Sequence, residues 1–329
     1  MRGKHELDLV NEMVLVSVLM GSYNHEKYIG EAIESVLNQT FPDLELIIID
    51  DYSTDNSRKV IEMYQAKDSR VSAFFHEKNM GIANTVNDAL REVRGKFISF
   101  IGSDDVWFPY KLERQLAWAK NCEDQVLWSE GEIIDESSVP TGKTFTQMHE
   151  AANKKKNGNL FEKIIEDNYI FGQSLLINKD HLAGIMFDPT LRYLNDYRFM
   201  ADLACKHEFR FIPEPLAKYR IHQKNSISKD KAGWLKDRIA LNSYFLQRYG
   251  SELSRNLKGI LYAQIGRSYA GLGRTDVAKQ FYLKAISIDP FSKEIILYLA
   301  LALSGAKSFL GNSLLLFYFK LSSIFEVKQ

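Results

Sequence analysis

The sequence predicts an α/β domain with a mostly parallel sheet and flanking helices, followed by an all-helical C-terminal region. Short apolar runs and amphipathic segments with helical spacing alternate four times between residues 14 and 101. Such alternation is typical of parallel strands joined by right-handed helical crossovers. From about residue 229 onward, apolar residues recur only at helical spacing. We therefore expect two domains, residues 1–228 and residues 229–329.

The strands of the first half are short and rich in branched and aromatic residues, which is typical of buried strands in a parallel sheet. They are predicted over residues 14–20, 44–49, 71–75 and 97–101. Helical spacing of apolar residues connects them, over residues 27–38, 57–64 and 82–93.

The next part of the chain is less regular. Further strands are predicted over residues 126–128, 174–177 and 209–212, and a helix is predicted to follow Asn195-Asp196. Residues 136–158 contain Ser, Pro and Gly and are expected to form a mobile loop or a hairpin. The three lysines at 154–156 are either a solvated surface or a contact for an acidic substrate.

The composition excludes several classes of protein. The 329 residues are 45% hydrophobic and 26% charged, with a formal net charge of zero, so no basic field favours a nucleic-acid partner. Cys122 and Cys205 are far apart and form no metal-spacing motif, which fits a reducing compartment. We find no signal peptide and no run of roughly 20 apolar residues. These features predict a cytoplasmic protein.

Two of the predicted strands end in paired aspartates, Asp50-Asp51 and Asp104-Asp105. The carboxyl ends of parallel strands meet at one edge of a sheet, and ligands bind in the crevice there. Four carboxylates would repel one another unless a cation or hydrogen-bond donors met them. The pattern favours a metal or nucleotide site, while the alternative is a solvated turn that caps the following helix.

The C-terminal region has two features of its own. Residues 261–290 resemble one tetratricopeptide hairpin, although such arrays usually need about three units to be stable. We favour a helical appendage packed on the first domain. Residues 295–325 are apolar and aromatic, and they form either a peripheral contact with a membrane interface or a buried terminal helix.

Six motifs, in order and over roughly residues 14–226, resemble family 2 glycosyltransferases with the GT-A fold. The motifs are Val16-Ser17-Val18 with Tyr23-Asn24, the acidic run at 50–57, Asn79 with Gly81 and Asn87, Gly102-Ser103-Asp104-Asp105 with Trp107 and Pro109, Asn195-Asp196, and Tyr219-Arg220-Ile221-His222 with Ser226. The resemblance implies an enzyme that moves a sugar from a nucleotide-diphosphate donor, expected to be a UDP-sugar. The expected acceptor is a hydroxyl of a saccharide or lipid-linked saccharide in surface glycan synthesis.

The resemblance also implies roles for individual residues. Asp104 is the expected ligand of Mn²⁺ or Mg²⁺, and His222 either completes the metal shell, touches the diphosphate or is structural. Asp196 is the expected general base for a direct, inverting attack by the acceptor hydroxyl, or else a carboxylate favoured by the helix dipole. The remaining residues are expected to bind the nucleotide-sugar: Tyr23, Asn24, Asp50, Asp51, Asn79, Asn87, Ser103 and Asp105. For Asp50, simple helix capping is the alternative.

Three positions depart from the family pattern. Gly102 replaces the first aspartate of the usual Asp-x-Asp, which predicts a metal held by fewer protein oxygens. Val86 stands where many members have arginine, so one cationic contact is missing, and Asn195 replaces a glutamate beside the base. The other classes left open are a catalytically silent nucleotide-binding protein and a helical-repeat scaffold. The donor sugar, the acceptor and the oligomeric state do not follow from the sequence.

Overall fold

The computed structural model of this chain describes residues 15–223 and 230–290. Ser226, the expected domain boundary at 228/229 and the apolar segment 295–325 lie outside the described residues, and the predictions about them stay predictions. The described chain forms two compact units. The first contains residues 15–164, 168–190 and 195–223, and the second contains residues 165–167, 191–194 and 230–290.

The strands of the first unit form two sheets. The strands are β1 Val16–Ser22, β2 Leu44–Asp50, β3 Val71–Phe75, β4 Phe97–Gly102, β5 Val106–Trp107, β6 Val126–Ile134, β7 Pro140–Thr144, β8 Ile177–Asn178 and β9 Phe209–Arg220. One sheet has the order β3-β2-β1-β4-β8, and the other has the order β5-β9-β6-β7. In the first sheet β3, β2, β1 and β4 run parallel, and β8 pairs antiparallel with β4. The predicted α/β fold with a mostly parallel sheet is confirmed.

Helices follow the strands in the predicted order. They are α1 Ile29–Leu37, α2 Ser57–Lys67, α3 Ile82–Arg91, α4 Lys111–Ala119, α5 Phe145–Met148, α6 Phe161–Glu166, α7 Asn195–Ala204, α8 Lys231–Tyr249, α9 Arg255–Gly271 and α10 Thr275–Ile288. The last three belong to the second unit, so the helical C-terminal region is confirmed over the residues described there. Within residues 15–223 and 230–290 we find no helix that combines the length and the hydropathy of a membrane-spanning segment.

The sheet core follows from the apolar runs. Every residue of β2 is buried, including the charged Glu45. A buried carboxylate is costly unless it is hydrogen-bonded, and Glu45 accepts a hydrogen bond from Ser17 Oγ at 2.5 Å. Arg94 donates to the same carboxylate from its backbone nitrogen at 2.9 Å and from Nε at 2.8 Å. These donors explain how a charged residue occupies a buried central strand.

The strand predicted over residues 174–177 is wrong over most of its length. Only Ile177 and Asn178 form a strand, and Gly172–Ser174 is a short 3-10 helix. At Ser174, hydrogen bonds that involve side chains take the place of strand pairing. Gln115 Nε2 donates to the Ser174 carbonyl at 2.7 Å, and the backbone nitrogen of Ser129 donates to Ser174 Oγ at 3.1 Å. Apolar periodicity does not reveal such tertiary hydrogen bonds.

Two other strands are longer than predicted. The strands predicted at 126–128 and 209–212 extend to Ile134 and Arg220, because β6 and β9 pair in parallel along most of their length. The expected hairpin within 136–158 is present, since β7 returns antiparallel to β6.

Of the three lysines, Lys155 forms an ion pair with the buried Glu130, with Nζ 2.7 Å from Oε2. Lys155 thus balances the charge of a buried carboxylate, and the two roles expected for the lysine run stay predictions.

The second unit contains a tightly packed helical pair. A Cβ placed on Gly266 in α9 would lie 2.9 Å from the Tyr282 ring and 3.1 Å from the Ala278 carbonyl oxygen in α10. Only glycine permits this close approach of the two helices.

Lys111 is fully buried at the start of α4. Its Nζ donates to Ser99 Oγ on β4 and to Gln115 Oε1, each at 2.7 Å, and lies 3.9 Å from the centroid of the Trp107 ring. One side chain thus ties β4, β5 and α4 together.

Replacing Lys111 with methionine should lower the free energy of unfolding by about 1–3 kcal/mol, because Gln115 Oε1 loses its donor inside the core. Urea unfolding of the full chain would measure this. Lys120→Met, at the exposed end of the same helix, is the control and should change stability little. Equal effects of the two changes would contradict a structural role for the buried Lys111 Nζ.

Candidate active site

Asp104 lies within a cluster of three potential metal ligands. Its Oδ2 is 3.0 Å from His222 Nε2 and 3.9 Å from His25 Nε2. One ligand atom from each of the three residues lies within 4.8 Å of the others. The sequence predicted Asp104 and His222 as metal ligands but did not single out His25.

The topology explains how these residues meet. Asp104 follows β4, and His25 follows the neighbouring parallel strand β1. His222 lies two residues beyond the end of β9, which pairs with β5 directly after the aspartates. The signal for His25 was its position in the turn after Tyr23-Asn24, at the same sheet edge as Asp104.

Each histidine is oriented by a neighbour. His25 Nδ1 is 2.8 Å from Ser103 Oγ, and the backbone nitrogen of His25 donates to Ser57 Oγ at 3.0 Å. The ring of His222 packs against Tyr28, with the centroids 4.8 Å apart. Carboxylate oxygen and imidazole nitrogen are common ligands of divalent cations. The donor set therefore fits a metal such as Mn²⁺.

The pKa values of the two adjacent aspartates are shifted in opposite directions. Burial acts to raise the pKa of Asp104, but the hydrogen bond from His222 and the charges of His25 and His222 outweigh it, so the pKa lies below its ordinary value. Burial and the negative charge of Asp104 raise the pKa of Asp105 well above its ordinary value. The difference arises because the two histidines act on Asp104.

Asp105 is tied to Arg220, a residue whose role the sequence did not reveal. Asp105 is 1% exposed and accepts a hydrogen bond from the Arg220 backbone nitrogen at 2.9 Å. Arg220 is itself buried, and its Nε donates to the Asp104 carbonyl at 2.7 Å. Its Nη2 donates to Glu31 Oε2 on α1 at 2.6 Å, and its guanidinium lies over the Tyr28 ring. Arg220 thus fixes the aspartate turn to β9 and α1.

Gly102 has a steric reason to be glycine. A Cβ at this position would lie 2.7 Å from Asp104 Oδ1 and 2.7 Å from Asp105 Oδ2. An aspartate would not fit at position 102 while both carboxylates keep these positions. The close approach of the two carboxylates thus accounts for glycine at position 102.

The aspartates after β2 are held by the chain itself. Asp50 accepts hydrogen bonds from Ser53, at 2.8 Å from the backbone nitrogen and 2.6 Å from Oγ. Asp51 accepts from the backbone nitrogens of Met80 and Gly81 at 2.6 and 2.8 Å, and its Oδ1 is 2.8 Å from His76 Nδ1. Hydrogen-bond donors therefore meet both carboxylates, and Asp51 anchors the loop that leads into α3.

The other residues expected to bind the nucleotide-sugar lie in different environments. Tyr23 is 46% exposed. Asn24 has a left-handed backbone, φ 54°, and its Oδ1 accepts from the Thr54 nitrogen at 2.8 Å. Asn79 Nδ2 donates to the Asp51 carbonyl at 3.3 Å. The two asparagines thus hydrogen-bond to the turn at 51–54, and nucleotide binding by all three residues stays a prediction.

The Asn87 side chain connects α3 to the backbone of Phe187. Its Nδ2 donates to the Phe187 carbonyl at 2.8 Å, and its Oδ1 accepts from the Phe187 nitrogen at 2.9 Å. The amide is 6% exposed and clamps α3 to a distant segment. A donor-binding role for Asn87 stays a prediction.

Asp196 is exposed in the first turn of α7, and its Oδ1 accepts from the Tyr197 nitrogen at 2.7 Å. Burial raises the pKa of Tyr219 above its ordinary value, and the charges of Asp105, Asp104 and Asp196 raise it further. The Tyr219 hydroxyl therefore lies in the field of the adjacent aspartates 104 and 105 and of Asp196, and it stays protonated at neutral pH.

Comparison with known proteins gives two family matches. Residues 17–181 match the model of glycosyl transferase family 2, and residues 260–292 match a tetratricopeptide repeat. The chain is 30% identical over 241 residues to the putative teichuronic acid biosynthesis glycosyltransferase TuaG of Bacillus subtilis, covering 73% of this chain and 90% of TuaG. It is 40% identical over 126 residues to the Escherichia coli UDP-Glc:alpha-D-GlcNAc-diphosphoundecaprenol beta-1,3-glucosyltransferase WfgD, covering 38% of this chain and 49% of WfgD.

Two solved structures have a similar fold. Staphylococcus aureus TarS 1-349 in complex with UDP-GlcNAc superposes with a TM-score of 0.60 at 20% identity, covering 88% of this chain and 80% of TarS 1-349. The mannosyltransferase PcManGT from Pyrobaculum calidifontis, in complex with GDP-Man and Mn²⁺, gives a TM-score of 0.56 at 16% identity. That match covers 93% of this chain and 80% of PcManGT.

Gly102→Ala should weaken Mn²⁺ binding, because the added Cβ forces at least one aspartate carboxylate to move. Isothermal titration of Mn²⁺ into the full chain would measure the loss. Gly30→Ala in α1 is the matched control, since a Cβ there meets neighbours only at 3.7 Å or more. Unchanged Mn²⁺ affinity in Gly102→Ala would contradict the tight packing assigned to this turn.

Proposed function

The chain belongs to glycosyltransferase family 2, and from that premise we propose an inverting, metal-dependent transfer of a sugar from a UDP-sugar to an acceptor hydroxyl. We propose residues 1–228 as the catalytic domain and residues 229–329 as a helical region appended to it. The observation that carries the proposal is the cluster of Asp104, His25 and His222 at the carboxyl edge of a parallel sheet. Nucleotides and their metal ions bind at such an edge in open α/β folds.

Transfer requires stabilisation of the leaving nucleoside diphosphate, whose bridging oxygen gains negative charge. A divalent cation bound at Asp104 would supply Lewis-acid stabilisation of that charge. The chain prepares the site in advance: Arg220 and the packed Gly102 hold the aspartate turn, and Ser103 holds the His25 ring. Such preorganisation lowers the cost of orienting charges during the reaction.

Asp196 is the proposed general base. It lies at the start of α7 with its carboxylate exposed, and its charge acts on Tyr219 together with those of Asp104 and Asp105. An exposed carboxylate can take a proton from an acceptor hydroxyl that enters from solvent. Attack on the face opposite the leaving group inverts the anomeric centre, as in single-displacement glycoside hydrolysis.

Relatives support the choice of substrates. The name of the E. coli relative includes a UDP-glucose donor and a diphosphoundecaprenol-linked acceptor, and TarS has been crystallised with UDP-GlcNAc. We therefore propose a UDP-sugar donor and a saccharide or lipid-linked saccharide acceptor, in surface glycan synthesis. A lipid-linked acceptor would place the reaction at the cytoplasmic face of a membrane, with the protein cytoplasmic or peripheral.

Asp196→Asn should lower kcat for sugar transfer by about 10²–10⁴, the usual contribution of a general base. The nucleotide site should stay intact, so the Kd for UDP in the presence of Mn²⁺ should not change. Release of UDP from UDP-glucose and UDP-GlcNAc, with lipid-linked acceptors, would measure transfer.

Asp202→Asn, on the same helix and paired with Arg198, is the matched control and should keep near wild-type kcat. A rate in Asp196→Asn equal to that of this control would remove Asp196 from the chemistry. Binding of UDP without transfer to any acceptor would favour the alternative of a catalytically silent nucleotide-binding protein.

A further inference from the structure

We infer that His25 is a protein ligand of the divalent cation, through Nε2, and that Ser103 positions its ring for this role. The inference rests on the proposed function, because it concerns the metal that the proposed transfer uses. It adds a nitrogen ligand from the turn after β1, a part of the chain to which the sequence motifs assigned only donor-binding residues. The site would then hold its metal with one carboxylate and two imidazoles.

The geometry supports coordination by His25. Its Nε2 lies 3.9 Å from Asp104 Oδ2, and the ligand atoms of His25, Asp104 and His222 lie within 4.8 Å of one another. A single cation at about 2.1–2.2 Å from each ligand atom separates those atoms by roughly 3–4 Å. The three side chains therefore need only small rotations to converge on one ion.

Ser103 gives the His25 ring a defined orientation. Its Oγ is 2.8 Å from Nδ1, which directs Nε2 toward Asp104. Metal-binding histidines commonly use their second ring nitrogen in a hydrogen bond of this kind, which fixes the ring and its tautomer. Ser103 is buried, so the contact is shielded from competing water.

His25 also accounts for the missing aspartate at position 102. A carboxylate there would clash with Asp104 and Asp105, so it cannot supply an oxygen ligand while they keep their positions. The imidazole of His25 would supply a ligand from the neighbouring strand end instead. Because imidazole suits transition metals while Mg²⁺ prefers oxygen ligands, this exchange should favour Mn²⁺ over Mg²⁺.

The test is pulsed electron paramagnetic resonance of Mn²⁺ bound to the full chain, with and without UDP. Modulation from ¹⁴N reports how many imidazoles coordinate the ion. We expect two in the wild type, one in His25→Gln and one in His222→Gln. A wild-type count of one or none would overturn the inference, and this measurement needs no variant to fold.

Affinity gives a second, independent measure. His25→Gln should raise the Kd for Mn²⁺ by about tenfold or more, and should raise the Kd for Mg²⁺ by a smaller factor. Ser103→Ala should weaken Mn²⁺ binding while keeping the nitrogen count. His207→Gln is the control, because His207 stacks on His181 away from the cluster, and it should change neither quantity. Equal losses for Mn²⁺ and Mg²⁺ in His25→Gln would overturn the proposed metal preference.

The failure of this inference can be told apart from failure of the proposed function. If the wild type transfers sugar but its single coordinated nitrogen survives in His25→Gln and disappears in His222→Gln, the function stands and His25 is not a ligand. If the wild type transfers no sugar although it shows two coordinated nitrogens that depend on His25, the site assignment stands and the reaction does not.

Discussion

The hydrogen bond between the buried Asp105 carboxylate and the Arg220 backbone nitrogen is the constraint on which the site depends. It joins the turn after β4 to the end of β9, and the Arg220 guanidinium strengthens the same junction through the Asp104 carbonyl and Glu31. His222, two residues further, is thereby placed beside Asp104. The pairing of β5 with β9 brings the two chain segments together, and this hydrogen bond fixes their ends against each other. The buried Asp105 thus holds the chain segment that carries His222, while its contact with the nucleotide-sugar stays a prediction.

Much of the fold could be predicted from the sequence, because strands β1 to β4 are short buried runs whose periodicity differs clearly from that of the helices between them. The 3-10 turn that ends at Ser174 could not, because the hydrogen bonds of Ser174 go to the Gln115 side chain and the Ser129 backbone rather than along a regular strand ladder. The same limit applies to the site. Asp104 and Asp196 stand in recognisable motifs, while Arg220 acquires its role only through contacts more than eighty residues away in the chain.

Several acidic and amide residues of the motifs hold backbone groups in place. Asp51 holds the loop before α3 through two backbone nitrogens, and Asn87 clamps that helix to Phe187 through both atoms of its amide. A motif shared across a family can therefore preserve the shape of a crevice as well as its ligands. Asp104 differs because histidines from two other strand ends face it. Three potential metal ligands from separate strand ends thus converge at this turn, whereas the aspartates after β2 are met by backbone and serine donors.

Calorimetric titration of UDP, GDP, dTDP and CDP into the full chain, each with and without Mn²⁺, tests the central claim that this cluster is the metal centre of a nucleotide-sugar site. We expect UDP to bind more tightly when Mn²⁺ is present, and Asp104→Ala to remove that enhancement while metal-free UDP binding remains. UDP binding that ignores Mn²⁺, or a chain that binds none of the four nucleotides, would contradict the account.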